Sequence, residues 1–424
     1  MLLIQNARVI DPKTKLDKVM DLLMKDNKIV KMGIISVTED MEIIDAKGLT
    51  VAPGLVDIHV HFRDPGQTHK EDLVTGSQSA AAGGFTTVVC MANTTPKVDN
   101  VETLTDIVNR SKELPIHVLQ ASAVTKDFNG IDLVDMEAMK EAGAVGFTDD
   151  GFPIMNTKVL REAMVRAKEL NVPISLHEED PSLIEKAGVH AGKVAKELNF
   201  GGASAIAEDT MVARDCMLAL ETGATIDIQH ISSKRAVDLV RYAKSLGAKV
   251  VAEATPHHFT LTEEDVLTYG AMCKMNPPVR AEEDRQGIIK GLQDGTIEII
   301  ATDHAPHHID EKGKGLKDAP SGIIGLETAL SLGITKLVKR GHLNLMRLLK
   351  KMTINPAELY HIDAGYIAEG GPADLVIFDE NEEYVVGDTF ASKSKNSPFI
   401  GWKLTGKVKY TICDGKVVYR DKDC

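Results

Sequence analysis

The sequence predicts an α/β fold, a (β/α)8 TIM barrel with a small β-sandwich domain built from both chain ends. Apolar, strand-like runs alternate with amphipathic helical stretches through the central part of the chain. Eight such units over roughly 300 residues fit a TIM barrel, which takes about 250 residues before insertions. The two ends contain only short strand-like segments between turn residues, and neither end is long enough to form a core alone.

The eight predicted barrel strands are short apolar runs, most of them followed by a pattern in which apolar residues recur every three or four positions. A buried strand followed by a helix, repeated, implies parallel strands covered by helices. A doubly wound open sheet is the alternative fold, but no GxGxxG motif opens a helix in this chain. The runs are, in order, LVDIHVHF, FTTVVCMAN, IHVLQASAV, AVGFTDD, VPISLHEED, ATIDIQHIS, AKVVAEATPHH and IEIIATDHAPHH.

The chain ends are predicted to pair into one β domain beside the barrel. We expect residues 1–52 and 363–424 to form this domain, and residues 53–362 to form the catalytic barrel. The Asp414-Gly415 pair between two alternating strands is a β-hairpin signal. At 424 residues the chain exceeds the roughly 250–300 residues at which a single core stops growing. One large and one small domain are therefore expected.

Composition excludes several classes of protein. The formal net charge of −13 argues against nucleic-acid binding, which depends on Lys and Arg neutralising phosphates. The amino-terminal apolar run turns polar within five residues, which predicts neither a signal peptide nor a membrane span. The five cysteines are scattered without a CxxC pair, so neither a disulfide framework nor a thiolate zinc site is indicated. We expect a cytoplasmic protein.

Side chains that can bind metals follow the carboxyl ends of the predicted strands, where a barrel places its active site. His59 and His61 are two residues apart, so in a strand they face the same side. The other candidates are Asn93, Asp149, Asp150, His177, His230 and Asp303. Four imidazoles and two carboxylates exceed the needs of one tetrahedral zinc ion, so a pair of metal ions bridged by a carboxylate is expected.

Such a metal pair favours hydrolytic chemistry. Asp303 is a candidate both for metal binding and for transfer of the proton. The residues alone leave open whether Asp149 or Asp150 is the bridge. For His257 and His258, which follow strand seven, structural hydrogen bonding is the simpler interpretation.

Two longer motifs resemble the signatures of the dihydroorotase family of the amidohydrolase superfamily, in its class I type. The segment DIHVHFRDP (57–65) is similar to the first signature, and ATDHAPHHIDEK (301–312) is similar to the second. The shorter motifs MANTTP, GFTDDG, KMNPPVR and GLET occur in the expected order, and the resemblance covers nearly the whole chain. It implies the reversible ring closure of N-carbamoyl-L-aspartate to L-dihydroorotate in de novo pyrimidine (UMP) biosynthesis.

The resemblance also implies a role for individual residues. One zinc ion would take His59, His61 and Asp303, and a second would take His177 and His230. Asp150 would bridge the two ions, because the family places the bridging carboxylate immediately before a glycine. Asp303 would be the catalytic group. The implied substrate-binding residues are His61, Arg63, Asn93, Asn276, His307, Ser321 and Gly322. Ser321 departs from several relatives, which carry a larger apolar residue or proline there.

Two other functions stay open. Hydantoinases and allantoinases use the same barrel but usually bridge their metals with a carbamylated lysine, and this chain has no lysine between Lys140 and Lys158. A non-catalytic homologue that acts as a scaffold would lack ligands, whereas all six expected positions are filled here. We expect a homo-oligomer that binds a small-molecule substrate and neither nucleic acid nor membrane, and association with aspartate carbamoyltransferase is left open.

Overall fold

Strands from both chain ends form one sheet in the computed structural model, which describes residues 1–424. Strand β14 pairs antiparallel with β5, and β5 pairs parallel with β1, so the two ends meet in the middle of this sheet. The strands are β1 (Leu2–Asp11), β2 (Leu16–Lys25), β3 (Lys28–Gly33), β4 (Glu42–Asp45), β5 (Thr50–Pro53), β14 (Leu375–Val385), β15 (Lys403–Cys413) and β16 (Lys416–Arg420). The predicted pairing of the chain ends is confirmed.

The second sheet is the barrel. Its eight strands run parallel, and their order in the sheet is their order in the chain. They are β6 (Leu55–Val60), β7 (Phe85–Cys90), β8 (His117–Ser122), β9 (Ala144–Phe147), β10 (Ile174–Leu176), β11 (Ile226–Ile228), β12 (Val250–Ala254) and β13 (Ile299–Ile300). The predicted barrel is confirmed. We propose the domain division after residues 52 and 362, close to the end of β5 at Pro53 and between the last helix, which ends at Leu359, and β14, which begins at Leu375.

Helices cover the barrel, and α4 shows why they form. Its buried residues Leu160, Ala163, Met164 and Ala167 recur at the spacing of one helix face. Ahead of the helix, the Asn156 side chain accepts hydrogen bonds from the amide N–H groups of residues 158 and 159, as an N-cap does. None of the helices combines the length and the apolar composition needed to cross a membrane.

The helix bounds complete the description of the secondary structure. The helices are α1 (Leu73–Ala82), α2 (Val101–Ser111), α3 (Met136–Glu141), α4 (Thr157–Leu170), α5 (Lys193–Glu197), α6 (Ala205–Thr222), α7 (Lys234–Ser245), α8 (Pro256–Thr260), α9 (Asp265–Tyr269), α10 (Glu282–Asp294), α11 (Ile309–Lys312), α12 (Gly315–Asp318), α13 (Ala329–Gly333), α14 (Leu345–Met352) and α15 (Ile354–Leu359). A π-helical turn at Ile334–Val338 continues α13.

Polar contacts join the first and last barrel strands. The buried carboxylate of Asp57 accepts hydrogen bonds from the Thr302 amide at 3.2 Å and from the Thr302 hydroxyl at 2.5 Å. One step further along, the amide of His61 donates to the carbonyl of His304 at 2.8 Å. These bonds fix the ends of β6 and β13 against each other, and both ends carry predicted metal ligands.

The Thr302–Asp57 contact generates a stability prediction. We expect Thr302→Val to lower the free energy of unfolding by about 1–3 kcal/mol, because it leaves a buried carboxylate short of a donor. The matched control is Thr87→Val. Thr87 is fully buried too, but its hydroxyl has no hydrogen-bond partner, so the same substitution should leave stability unchanged or raise it. Urea unfolding measures both variants, and equal losses would contradict the assigned role of the Thr302 hydroxyl.

Candidate metal centre and substrate cavity

A cavity of about 370 Å³ opens at the carboxyl ends of the barrel strands. Nearly all the predicted site residues line it. They are His61, Arg63, Asn93, Asp150, His177, His230, Asn276, Asp303, His307, Ser321 and Gly322. His59 is not in the lining and is fully buried. The cavity therefore brings together residues that lie far apart in the chain, from His61 to Gly322.

The first group of predicted ligands comes from the ends of β6, β9 and β13. His61 Nε2 is 3.0 Å from Asp303 Oδ1 and 3.4 Å from Asp150 Oδ2. His59 Nε2 is 3.6 Å from Oδ1 of Asp303 and also 3.6 Å from Oδ1 of Asp150. A tetrahedral ion with ligand bonds of about 2.0–2.1 Å separates its ligands by about 3.3 Å. The distances among these four side chains are therefore close to those between ligands of a single ion. The four are His59, His61, Asp150 and Asp303.

The second group shares Asp150 with the first. Asp150 Oδ1 lies 3.6 Å from His177 Nδ1 and 3.8 Å from His230 Nε2. The two imidazole nitrogens are 2.9 Å apart. Asp150 thus stands between the imidazoles of β6 on one side and those that follow β10 and β11 on the other.

Two atoms at the centre of this arrangement are buried without a hydrogen-bond partner, His59 Nε2 and Asp150 Oδ1. Such an atom costs about 1–3 kcal/mol unless something binds it. Burial works against charge on Asp150, but the surrounding imidazoles of His59 and His177 hold its pKa well below the usual range. An ionised carboxylate among several imidazole nitrogens, one of them without a partner, is a donor set suited to divalent metal ions.

The Asp149 carboxylate bonds to residues other than the predicted metal ligands. Its carboxylate accepts hydrogen bonds from the amides of Val124 at 2.7 Å and Thr125 at 3.1 Å, and from the Thr125 hydroxyl. These contacts hold the end of β8 against the end of β9. Of the two adjacent aspartates, only Asp150 contacts the imidazoles.

Further predicted residues form another wall of the cavity. Arg63 is held by a hydrogen bond from Nε to the carbonyl of Pro306 at 3.2 Å. His307 donates from Nε2 to the carbonyl of Ser321 at 2.8 Å, and the Ser321 hydroxyl donates to Asn276 Oδ1 at 3.3 Å. Burial and the positive charge of Arg63 lower the pKa of His307 to about 2, so its ring is neutral. This wall offers one guanidinium and neutral donors, which suits a carboxylate of a ligand.

Comparison with known proteins decides the family. The model of the amidohydrolase family matches residues 50–418. The chain belongs to the amidohydrolase family. It is 62% identical to a dihydroorotase of Clostridioides difficile, over 99% of this chain and 100% of that protein. It is 54% identical to a dihydroorotase of Clostridium acetobutylicum, over 100% of both chains. These identities confirm the resemblance to dihydroorotases.

Solved structures with the same fold include hydantoinases. The L-hydantoinase (dihydropyrimidinase) from Arthrobacter aurescens superimposes with a TM-score of 0.88 at 27% identity, covering 99% of this chain and 96% of that chain. A D-hydantoinase from a Thermus species gives a TM-score of 0.86 at 25% identity with the same coverage. The barrel and the sheet built from the chain ends are therefore arranged as in other amidohydrolases.

In this amidohydrolase, neighbouring side chains accept from the outward-facing nitrogens of His59 and His61. Glu253 Oε2 lies 3.0 Å from His59 Nδ1, and Asn93 Oδ1 lies 2.9 Å from His61 Nδ1. A histidine that ligates a metal commonly donates its other ring N–H to a carboxylate or carbonyl, which leaves the inward nitrogen free to bind. Asn93 also donates from Nδ2 to Asp150 Oδ2 at 3.2 Å, so it contacts ligands of both groups.

His177 has the opposite orientation. Its Nε2 donates to Glu179 Oε2 at 2.9 Å, so Nδ1 is the nitrogen that faces Asp150. Neither Glu179 nor Glu253 is among the site residues predicted from the sequence. Glu179 could have been found, because it follows His177 by two positions, the spacing that places residues on one side of an extended chain.

The two histidines after β12 stay outside the metal ligands. His258 bonds to the Thr255 hydroxyl at 2.8 Å and donates to the carbonyl of Pro277 at 3.0 Å. His257 is buried beside it, with the two ring centroids 4.5 Å apart. His258 shows the structural hydrogen bonding expected from the sequence, whereas Nε2 of His257 is buried without a hydrogen-bond partner.

The contrast between Asp150 and Asp149 generates a metal-binding prediction. Asp150→Ala removes the only side chain that both groups share, so we expect the ion at His177 and His230 to be lost while the other group retains some metal. Asp149→Ala should keep the number of ions per chain and lower the free energy of unfolding by about 1–3 kcal/mol, because amide N–H groups lose their acceptor.

Elemental analysis after dialysis, together with urea unfolding of the same samples, measures both quantities. The reverse pattern, in which Asp149 is required for metal binding and Asp150 is dispensable, would show that Asp149 and not Asp150 is the bridging residue.

Proposed function

We propose that this amidohydrolase is a zinc-dependent dihydroorotase, which interconverts N-carbamoyl-L-aspartate and L-dihydroorotate in de novo pyrimidine (UMP) biosynthesis. The observation that carries the proposal is the shared position of Asp150 between two groups of imidazoles, beside a cavity wall that contains Arg63. The relatives that match over the whole chain, at 54–62% identity, bear the name dihydroorotase.

The proposed metal centre contains two zinc ions. His59, His61 and Asp303 would hold the first ion, His177 and His230 the second, and Asp150 would bridge them. Bound at these positions, divalent ions supply Lewis-acid polarisation of a carbonyl and lower the pKa of water. An aspartate bridge needs no carbon dioxide to form, unlike a carbamylated lysine, so activity should not depend on added bicarbonate.

Ring opening adds water across the amide bond of dihydroorotate. The water oxygen bonds to the ring carbonyl carbon, the bond from that carbon to the ring nitrogen breaks, and the nitrogen takes a proton. Asp303 lies in the cavity wall, with Oδ1 3.0 Å from His61 Nε2, where its carboxylate can accept the proton of the attacking water. Returning this proton to the departing nitrogen completes the cycle, and ring closure follows the same steps in reverse.

The cavity wall that contains Arg63 would hold the substrate. Arg63 would bind the α-carboxylate through its planar fork of donors, together with Asn93 and His307. Asn276, Ser321 and Gly322 would lie along the ring. His61, which lines the cavity, would contact the substrate from the metal side. Arg63 is half-buried and His307 is buried, and both donate hydrogen bonds to neighbouring backbone carbonyls, so they are oriented before the substrate arrives.

Substrate turnover tests this function. Purified protein supplied with zinc should open dihydroorotate and close N-carbamoyl-L-aspartate, and should act far more slowly on hydantoin and allantoin. Asp303→Asn should lower turnover by about 10²–10⁴-fold, the usual contribution of an acid–base group. The control is Asp64→Asn, since Asp64 pairs with Arg110 at 2.9 Å and does not line the cavity.

Chromatographic product analysis and metal analysis of each sample provide the measurements. Faster turnover of hydantoin or allantoin, or a requirement for bicarbonate, would favour the hydantoinase alternative. Absence of all turnover in a metal-loaded sample would favour a non-catalytic scaffold.

The remaining expectations concern assembly and location. Three predictions remain. The chain is expected to form a homo-oligomer and to reside in the cytoplasm, and its association with aspartate carbamoyltransferase remains to be tested. Sedimentation of the purified protein, alone and with aspartate carbamoyltransferase, tests the first two.

A further inference from the structure

Two buried lysines hold the segment that forms one edge of the substrate cavity. Lys312, at the end of α11, donates from Nζ to the carbonyls of Pro320 and Gly322, each at 3.0 Å. Lys274, before the cavity residue Asn276, donates from Nζ to the carbonyls of Lys317 at 3.2 Å and Ala319 at 2.7 Å. Four carbonyls within six residues are thus bound by two ammonium groups.

Burying the two ammonium groups costs free energy. Lys312 is 2% exposed and Lys274 is 7% exposed, whereas lysine is almost never fully buried unless it is paired. Both bind backbone carbonyls instead of carboxylates, so the burial of charge is only partly offset. Burial, reinforced by the positive charge of Lys274, lowers the pKa of Lys312 to about 7. A fold that needed only packing here would be better served by an apolar side chain.

The bound carbonyls fix the direction of the peptide groups at the cavity. In a trans peptide the C=O and N–H bonds point in opposite directions. The carbonyl of Pro320 points to Lys312, so the amide N–H of Ser321 points away from it. That N–H has no acceptor within the protein, and Ser321 lines the cavity. It is a donor available to a bound ligand.

Neighbouring contacts hold the same segment in one conformation. The amide of Gly322 donates to the carbonyl of Lys274 at 2.9 Å, and His307 donates to the carbonyl of Ser321 at 2.8 Å. Gly322 has φ of +125°, and a Cβ there would lie 2.7 Å from the Ala305 side chain. The backbone therefore approaches the end of the eighth strand closely, and a small displacement would change the edge of the cavity.

We propose that Lys312 and Lys274 form a lysine clamp that positions the Ser321–Gly322 backbone for substrate binding. Both are positioning residues that act through this backbone without touching the reacting atoms. The inference rests on the proposed dihydroorotase function, because it assigns the clamped edge to the substrate of that reaction. It also accounts for the lysine that closes the second signature, Lys312.

Lys312→Met tests the clamp, because methionine keeps much of the aliphatic stem and removes the ammonium group. We expect KM for dihydroorotate to rise at least tenfold, kcat to change less than KM, and the metal content to stay the same. A misplacement of about 1 Å can reduce catalysis by about 10²-fold. We therefore expect kcat/KM to fall by no more than this factor. The matched control is Lys314→Met, which removes an exposed lysine from the same segment and should leave KM unchanged.

Hydrogen exchange of peptides that cover residues 317–322 gives a readout independent of activity. Exchange should be faster in Lys312→Met than in wild type or Lys314→Met. Should Lys312→Met not fold, Lys274→Met provides the same test, with faster exchange and a raised KM expected. The double variant should lose less than the product of the two single effects, because the lysines hold one segment.

The outcomes separate this inference from the proposed function. If wild-type protein does not turn over dihydroorotate, the proposed function fails, while the exchange data still decide whether the lysines order the segment. Unchanged exchange and unchanged KM in both lysine variants would overturn the clamp. A fall in kcat and metal content with KM unchanged would also overturn it, because the lysines would then support the metal centre.

Discussion

The carboxylate of Asp150 is the interaction on which the rest of the site depends. It is buried, and one of its oxygens has no hydrogen-bond partner although imidazole nitrogens lie 3.6–3.8 Å away on both sides. In a protein interior an arrangement of this kind is unfavourable unless a cation occupies the space between the groups. The same arrangement that can bind metal therefore destabilises the metal-free protein at this point of the barrel.

Two features of the fold hold the imidazoles in place around Asp150. One is a set of acceptors that bind the imidazoles from outside, and the other is the contact between the first and last barrel strands. Glu253, Asn93 and Glu179 each bind the outward nitrogen of one imidazole, which fixes the nitrogen that faces inward. Asp57 and Thr302 join the first and last strands directly below the ligands. The orientation of the predicted ligands is thus determined by side chains outside the ligand set, and the proposed lysine clamp would give the substrate side of the cavity similar support.

The barrel could be predicted from the sequence, because it follows from local patterns, and so could the candidate ligands that the structure brings together. Period-two and helical periodicities identified eight strand–helix units, and each candidate ligand lies at or just beyond the carboxyl end of a strand. The strands themselves are shorter than the apolar runs: β13 contains only Ile299–Ile300, and Asp303 lies beyond it in a left-handed conformation with φ of 49°. Positive φ values depend on the surrounding loops, which a single sequence does not specify.

Long-range contacts account for the remaining differences. The residues alone could not choose between Asp149 and Asp150; the family resemblance favoured Asp150, and the structure shows that Val124 and Thr125 engage Asp149. The role of Glu253 requires its contact with His59, which is 194 positions away. Lys312 stands in a recognisable motif, yet its partners are backbone carbonyls, which no side-chain pattern reveals.

Anomalous diffraction from crystals of the zinc-loaded protein, recorded on both sides of the zinc absorption edge, tests the central claim most directly. Two peaks are expected on opposite sides of the Asp150 carboxylate. One should lie among His59, His61 and Asp303, and the other should lie against His177 and His230. Zinc bound elsewhere, with no peak within ligand distance of Asp150, would contradict the claim that this carboxylate is shared by two metal ions.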